Sequence, residues 1–113
     1  PFNSAVKVWN SYKKGVIRKD NITRLQDMAV SDYFEVSSTA GVTCNDGTLR
    51  FNKFVMLSLS KTQQKNVCIH ELGHALGLGH NTKKDIMYPY VTNRVKLSKN
   101  DKRSYDYVYK YCY

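Results

Sequence analysis

The sequence predicts an α+β fold in a single domain. Apolar residues recur at helical spacing near both ends of the chain. Two capping boxes mark the start of a long central helix and of the last helix. Short strand-like segments lie between the first and second predicted helices. A chain of 113 residues can form one hydrophobic core but not two independent ones. We therefore expect one domain over residues 1–113.

The chain opens with a predicted helix, followed by predicted strands. Val6, Trp9 and Lys13 lie at helical spacing, and Gly15 can end the helix. Residues 21–25 and 33–37 are predicted to be strands. An Asp-Gly turn at 44–47 follows them. A β-rich stretch at 49–59 then forms either two pairing segments or one bulged strand.

Two capping boxes define the helices of the C-terminal half. Ser60-Lys-Thr-Gln63 begins a long helix that runs to about Leu76, and Gly77 suits its C-terminal cap. A loop over 81–95 follows, and Ser98-Lys-Asn-Asp101 begins the last helix. The predicted buried stripe of that helix is Tyr105, Val108, Tyr109 and Cys112.

All three histidines of the chain lie in one eleven-residue stretch, at the spacing of a zinc site. His70 and His74 are four residues apart, so they share one face of a helix. Gly77 allows a sharp turn that can return His80 as a third imidazole. Three nitrogen ligands leave the fourth position of a tetrahedral zinc ion for water, which is typical of a catalytic site.

Glu71 follows the first histidine and is the candidate general base. A zinc ion would lower the pKa of its bound water and polarise a carbonyl. Glu71 would take the proton of that water and deliver it to the leaving amine. The alternative is a metal-free helix with two packed histidines and a solvated carboxylate. It leaves unexplained why no histidine occurs elsewhere.

The chain is strongly basic, with 18 Lys and Arg against nine acids and a net charge of +9. Its basic residues are scattered pairs rather than a run, which favours a solvated surface over a specific nucleic-acid site. Loose association with an anionic polymer is the partner that this charge indicates. No apolar run reaches the ~20 residues that span a bilayer. We expect a monomer without a membrane span.

Three cysteines, at 44, 68 and 112, leave one over after any pairing. One disulfide with one thiol fits an exported protein, and three thiols fit a cytosolic one. A Cys68–Cys112 disulfide, one of the three pairings, would link the last helix to the core.

The stretch from His70 to His80 resembles the long zinc motif of the metzincin clan of metallopeptidases. Residues 85–89, Asp-Ile-Met-Tyr-Pro, resemble the clan's second feature, the methionine turn. Among metzincins the chain is most similar to the matrixins, including small bacterial members. The helix that carries Trp9, the segment 89–91, and the final helix from Leu97 onward agree with this resemblance.

The resemblance implies a zincin fold and roles for further residues. The fold would have a small twisted, mostly parallel sheet with an antiparallel edge strand, an opening helix, a zinc-binding helix and a C-terminal helix. Upper and lower subdomains would cover about 1–80 and 81–113. Met87 would form an apolar floor under the imidazoles. The wall of the S1′ substrate pocket would be formed by Pro89, Tyr90 and Val91.

Several departures from the family pattern limit these expectations. Asn81 replaces the usual serine after the third histidine, and Pro89 stands where astacin-like members carry a tyrosine. No histidine remains for a second, structural zinc, and the few acids make calcium sites improbable. The family's strand before the first helix and its cysteine-switch motif are absent from this sequence. We expect a secreted protein whose signal or pro-segment lies upstream of Pro1.

The predicted function is zinc-dependent endopeptidase activity. Substrate would bind extended along an edge strand within residues 49–59. A non-catalytic module that binds anionic polymers is one alternative, although it would not need Glu71. Hydrolysis of a cell-wall peptide amide is another, and it would use the same residues.

Overall fold

The computed structural model describes residues 2–12, 29–44 and 48–112, with Ala29 and the helix after Val108 described by backbone alone. The elements, in chain order, are α1 (Phe2–Tyr12), β1 (Ala29–Tyr33), β2 (Gly41–Thr43), β3 (Thr48–Asn52), α2 (Lys53–Met56), α3 (Lys61–Ala75) and α4 (Lys99–Cys112). None of the described helices is long and apolar enough to cross a membrane.

The three described strands form one sheet in the order β1-β3-β2. β3 pairs in parallel with β1 and antiparallel with β2, so β2 is the antiparallel edge strand. In β3 Leu49 and Phe51 face the core while Arg50 is exposed, the two-residue alternation of a sheet with one buried face. The prediction that residues 49–59 hold an edge strand is wrong, because β3 is central and β2 lies at the edge.

Asn52 explains why two predicted strands differ from the observed ones. Its buried side chain accepts a hydrogen bond from Phe54 N at 3.2 Å, so it caps α2 where 49–59 was predicted to continue as strand. The same side chain binds the backbone of Glu35 and donates to Thr39 O. Most of the segment predicted as a strand at 33–37 is therefore held by Asn52, and β1 ends at Tyr33. The strand predicted at 21–25 lies outside the described residues.

Helices α1 and α4 pack on the hydrophobic core through the apolar stripes predicted for them. Ala5 and Trp9 of α1 are fully buried, and Trp9 Nε1 donates to Ile69 O of α3 at 3.0 Å. In α4 the ring of Tyr105 is buried against Trp9, with ring centroids 6.1 Å apart. Val108 packs on the same core, whereas the side chains predicted to continue the stripe, Tyr109 and Cys112, are outside the description.

Neither of the described cysteines forms a disulfide. Cys44 is a half-buried free thiol and Cys68 is a buried one. Because Cys68 is free, the Cys68–Cys112 pairing, one of the three that the sequence leaves open, does not form in this structure. Burial raises the pKa of the Cys68 thiol to about 11, so it remains protonated and packs as a small apolar side chain.

Candidate metal centre and active site

Helix α3 supplies the first two histidines from a well-defined start. Ser60 Oγ accepts from Gln63 N at 3.1 Å, and the Gln63 side chain accepts from Ser60 N at 3.0 Å. This is the predicted capping box, and it fixes the first turn of the helix. His70 and His74 follow later in the helix, one turn apart, and the centroids of their rings are 4.6 Å from each other.

The end of α3 returns the third histidine to the first two. Gly77 has a φ of 101°, and Leu78 N donates to Gly73 O at 2.9 Å while Gly77 N donates to His74 O at 2.9 Å. This pair of hydrogen bonds is a Schellman motif, which needs a left-handed residue at its turn. The chain reverses there and brings His80 to 4.8 Å from His74, measured between ring centroids.

The three imidazoles converge on one point. One ring nitrogen from each lies within 4.8 Å of the others, and the Nε2 atoms of His74 and His80 are 3.1 Å apart. Bonds of ~2.0–2.1 Å at a tetrahedral zinc place two nitrogen ligands roughly 3.3 Å apart. The spacing of His74 and His80 therefore fits two ligands of one zinc ion.

Backbone carbonyls select the tautomer of two of the rings. The Nδ1 atoms of His70 and His74 each lie 2.8 Å from a backbone oxygen, that of Ile86 and of Leu78. Because a carbonyl only accepts, Nδ1 carries the proton, and Nε2 keeps a lone pair for a metal. Burial also lowers the pKa of His70. The ring therefore stays in the neutral form that ligates.

Glu71 is buried at the junction of two cavities. The residue is 6% exposed, and it lines a cavity of about 600 Å³ together with the three histidines. Glu71 Oε2 lies 3.8 Å from His70 Nε2, and Glu71 Oε1 accepts a hydrogen bond from Thr43 Oγ1 of β2 at 2.7 Å. The carboxylate therefore lies beside the converging nitrogens, as the motif predicts, without joining them.

The methionine turn contacts α3 at a glycine. Met87 is fully buried, and a Cβ added at Gly73 would lie only 2.4 Å from Met87 Sδ. Gly73 directly precedes His74, so the methionine lies against the backbone of the metal-binding helix. The role of Met87 as an apolar floor under the imidazoles stays a prediction.

Two buried carboxylates join the methionine turn to the start of α4. Asp101 accepts hydrogen bonds from the backbone of Ile86 at 2.8 Å and of Met87 at 3.2 Å. It also accepts from Ser98 N at 2.9 Å and donates its own N–H to Ser98 Oγ, which completes the predicted second capping box. The capping residue of α4 therefore also fixes the backbone of the methionine turn.

Asp85 is the second of these carboxylates. It is 1% exposed and accepts hydrogen bonds from Ser98 Oγ at 2.5 Å and Thr82 Oγ1 at 2.7 Å. Burial alone would raise the pKa of Asp85, but hydrogen bonds from Ser98, Thr82 and Asn100 outweigh it, and the pKa lies below its usual value. Asp85 is therefore ionised at neutral pH.

The predicted pocket wall lines a second cavity beside Glu71. Pro89, Tyr90 and Val91 face a cavity of about 360 Å³ that also contacts Asn66 and His70. Asn66 is buried, and its amide donates to Arg94 O at 2.7 Å and accepts from Thr92 N at 3.1 Å. These bonds connect the wall segment to α3.

Sequence reasoning missed the side chains that surround the predicted ones. Thr43 contacts Glu71 from β2, and Asn66 of α3 lines the second cavity, and nothing in the local sequence marks either as part of the site. Asp85 belongs to the predicted methionine turn, but its hydrogen bonds with Thr82 and Ser98 were not predicted. Asp101 was predicted only as part of a capping box; its contact with Met87, 14 residues away, follows from the tertiary packing.

Comparison with known proteins identifies the family. The matrixin family model matches residues 4–110. Over 49 residues the chain is 41% identical to metalloendoproteinase 2-MMP of Arabidopsis thaliana, a match that covers 40% of this chain and 13% of that protein. No solved structure gives a significant match. The chain belongs to the matrixin family, whose members are zinc-dependent peptidases.

Proposed function

We propose that this chain is a zinc-dependent endopeptidase whose metal ligands are His70, His74 and His80. The observation that carries the proposal is the convergence of the three imidazoles, two of them held with Nε2 deprotonated, next to a buried glutamate. Its membership of the matrixin family supports the same activity. The match to the plant metalloendoproteinase spans only a small part of that protein, so the activity is proposed for this domain.

The residues of the site divide the work of peptide hydrolysis. Zinc, when bound, supplies Lewis-acid activation of water and of the scissile carbonyl. Glu71 accepts a proton at Oε2, the oxygen that lies 3.8 Å from His70 Nε2, and returns it to the leaving amine. The carbonyls of Ile86 and Leu78 hold the ring protons on Nδ1, so His70 and His74 keep their orientation through the reaction.

Strand β2 is the proposed site for the substrate backbone. Among the described strands β2 lies at an edge of the sheet, and its residues Gly41 to Thr43 line the cavity that holds the histidines. An extended peptide can add to such an edge through backbone hydrogen bonds. One substrate side chain would then enter the cavity lined by Pro89, Tyr90 and Val91, which at about 360 Å³ accepts a medium to large residue.

The test is hydrolysis of casein and of a proteome-derived peptide library by the zinc-loaded protein. We expect cleavage that a chelator abolishes, about one zinc per chain by metal analysis, and a fall in kcat of about 10²–10⁴-fold in Glu71→Gln because the general base is lost. Glu35→Gln changes the chain's other glutamate, which is exposed; it is the matched control and should retain activity.

Contrary outcomes separate the alternatives. Zinc-loaded protein that cleaves no protein or peptide but binds polyanions in a salt-dependent way would support the non-catalytic module. Cleavage of cell-wall peptides alone would support the cell-wall amidase. No feature of the site favours either alternative. We further propose that the enzyme acts outside the cell, which predicts activity in the culture medium rather than in the lysate.

A further inference from the structure

The edge strand β2 makes a specific contact with the candidate base. Thr43 Oγ1 lies 2.7 Å from Glu71 Oε1 and 3.0 Å from Glu71 O. A hydroxyl has one proton, and the shorter distance, to a charged acceptor, marks the stronger bond. The proton of Thr43 therefore points to Oε1.

The residue two positions earlier on the same strand makes room for the glutamate. A Cβ added at Gly41 would lie 3.1 Å from Glu71 Cγ, a tight contact that would require the glutamate stem to shift by a few tenths of an ångström. Alternate residues of a strand share one face, so Gly41 and Thr43 both face α3, and the intervening Val42 is 38% exposed. One face of β2 thus fits the stem of Glu71 at Gly41 and its carboxylate at Thr43.

A glutamate needs such a contact to present one oxygen consistently. The terminal torsion of a glutamate has a broad, two-fold preference, so an unrestrained carboxylate rotates and exchanges its two oxygens. With Oε1 bound to Thr43, Oε2 remains on the side of His70, 3.8 Å from its Nε2. The hydrogen bond therefore divides the oxygens into one that is held and one that is available for proton transfer.

We propose that Thr43 is a positioning residue for Glu71 and that Gly41 allows the close approach this requires. The proposal rests on the proposed peptidase function. It also means that one strand aligns both partners of the reaction, since β2 is the edge proposed to bind the substrate backbone. The three residues of β2, Gly41 to Thr43, would then set the distance between the scissile bond and the carboxylate of Glu71.

The experiment compares Thr43→Val, which keeps the shape but removes the donor, with Thr43→Ser, which keeps the donor. We expect Thr43→Val to lower kcat by about 10- to 100-fold, the cost of a misplaced reacting group, with KM, zinc content and thermal midpoint unchanged. Thr43→Ser should return kcat to near the wild-type value. Thr62→Val, at an exposed position on α3, is the matched control and should behave as wild type.

A double-mutant cycle separates this proposal from the function on which it rests. In the Glu71→Gln background Thr43→Val should cause no further loss, because the hydroxyl acts only through the carboxylate. Full activity of Thr43→Val beside a strongly impaired Glu71→Gln would overturn the positioning role and leave the peptidase proposal intact. Full activity of Glu71→Gln would overturn both. Equal losses in Thr43→Val and Thr43→Ser, or a loss of bound zinc in Thr43→Val, would assign Thr43 a structural role instead.

Discussion

The two sides of the cleft are held by different kinds of contact. On the methionine-turn side, the carboxylate of Asp101 binds backbone N–H groups of Ile86 and Met87. On the side of β2, the contacts are a hydroxyl and a bare glycine backbone, and both touch the side chain of Glu71. The first set fixes the path of the main chain, and the second fixes one reacting group.

This difference separates stability from turnover. Removal of a buried carboxylate that binds backbone amides leaves those amides without an acceptor, which lowers the free energy of unfolding. Removal of a single hydroxyl at a half-buried edge strand leaves the core intact and changes only the geometry of Glu71. We therefore expect substitutions around the methionine turn to affect folding and zinc retention, and substitutions on β2 to affect kcat.

The largest expected effect is that of Asp101→Ala. The change removes the acceptor of three buried or half-buried backbone donors, one of which is half of the capping box, so the free energy of unfolding should fall by about 3 kcal/mol. Denaturant unfolding and zinc analysis measure this. Asp32→Ala, at an exposed position on β1, is the control. Unchanged stability of Asp101→Ala would end the distinction between the two sides.

Asp85 gives the methionine-turn side a dependence on acid. Its pKa is lower in the folded protein than its ordinary value of 3.8, so the ionised form stabilises the fold. That stabilisation is complete above about pH 5 and is lost as the pH falls through the folded pKa. Asp85→Asn should lower the free energy of unfolding by about 1–3 kcal/mol at neutral pH. In this variant the free energy of unfolding should also fall less steeply as the pH is lowered into the acid range.

Thermal unfolding between pH 2 and pH 7, with Asp32→Asn as the matched control, tests this expectation. If the thermal midpoints of wild type and Asp85→Asn fall equally steeply as the pH is lowered, the expectation is contradicted and the acid sensitivity lies elsewhere in the protein.

The smallest expected effect is that of a reductant, which should leave the stability of the fold unchanged. The start of α4 is joined to the methionine turn by carboxylate hydrogen bonds, and Cys68 is a free thiol. Alkylation of the denatured, unreduced protein followed by peptide mapping should find Cys44 and Cys68 both modified. A Cys68 that reacts only after reduction would show that a covalent link also holds this part of the fold.

The parts of the site that local sequence determines were predicted, and the parts that tertiary packing determines were not. The start of α3 and the turn at Gly77 depend on residues within one or two helical turns, so the placement of His70, His74 and His80 could be read from the sequence. The role of Thr43 depends on the packing of β2 against α3, which brings it to Glu71, 28 residues away in the sequence. No period or capping signal encodes such a contact.

The errors in the bounds of the strands predicted at 33–37 and 49–59 have one cause that the sequence conceals. Asn52 ends β3, caps α2 and satisfies the backbone near Glu35 and Thr39 with one side chain. Apolar residues on both sides of Asn52, Phe51 before it and Phe54 and Val55 after it, resemble a continuing strand. The competition between a side-chain amide and a strand ladder was decided by contacts across 13 to 17 residues.

The contact of Gly73 with Met87 makes these two positions a single constraint on sequence change. The space that a side chain at position 73 would need is filled by the methionine sulfur, so each residue limits what the other can become. An alanine at 73 requires the side chain at 87 to move or to be shorter, and a shorter residue at 87 alone would leave a void beside the helix. The middle of the zinc motif and the methionine turn are thus expected to vary together, as one volume shared between two segments.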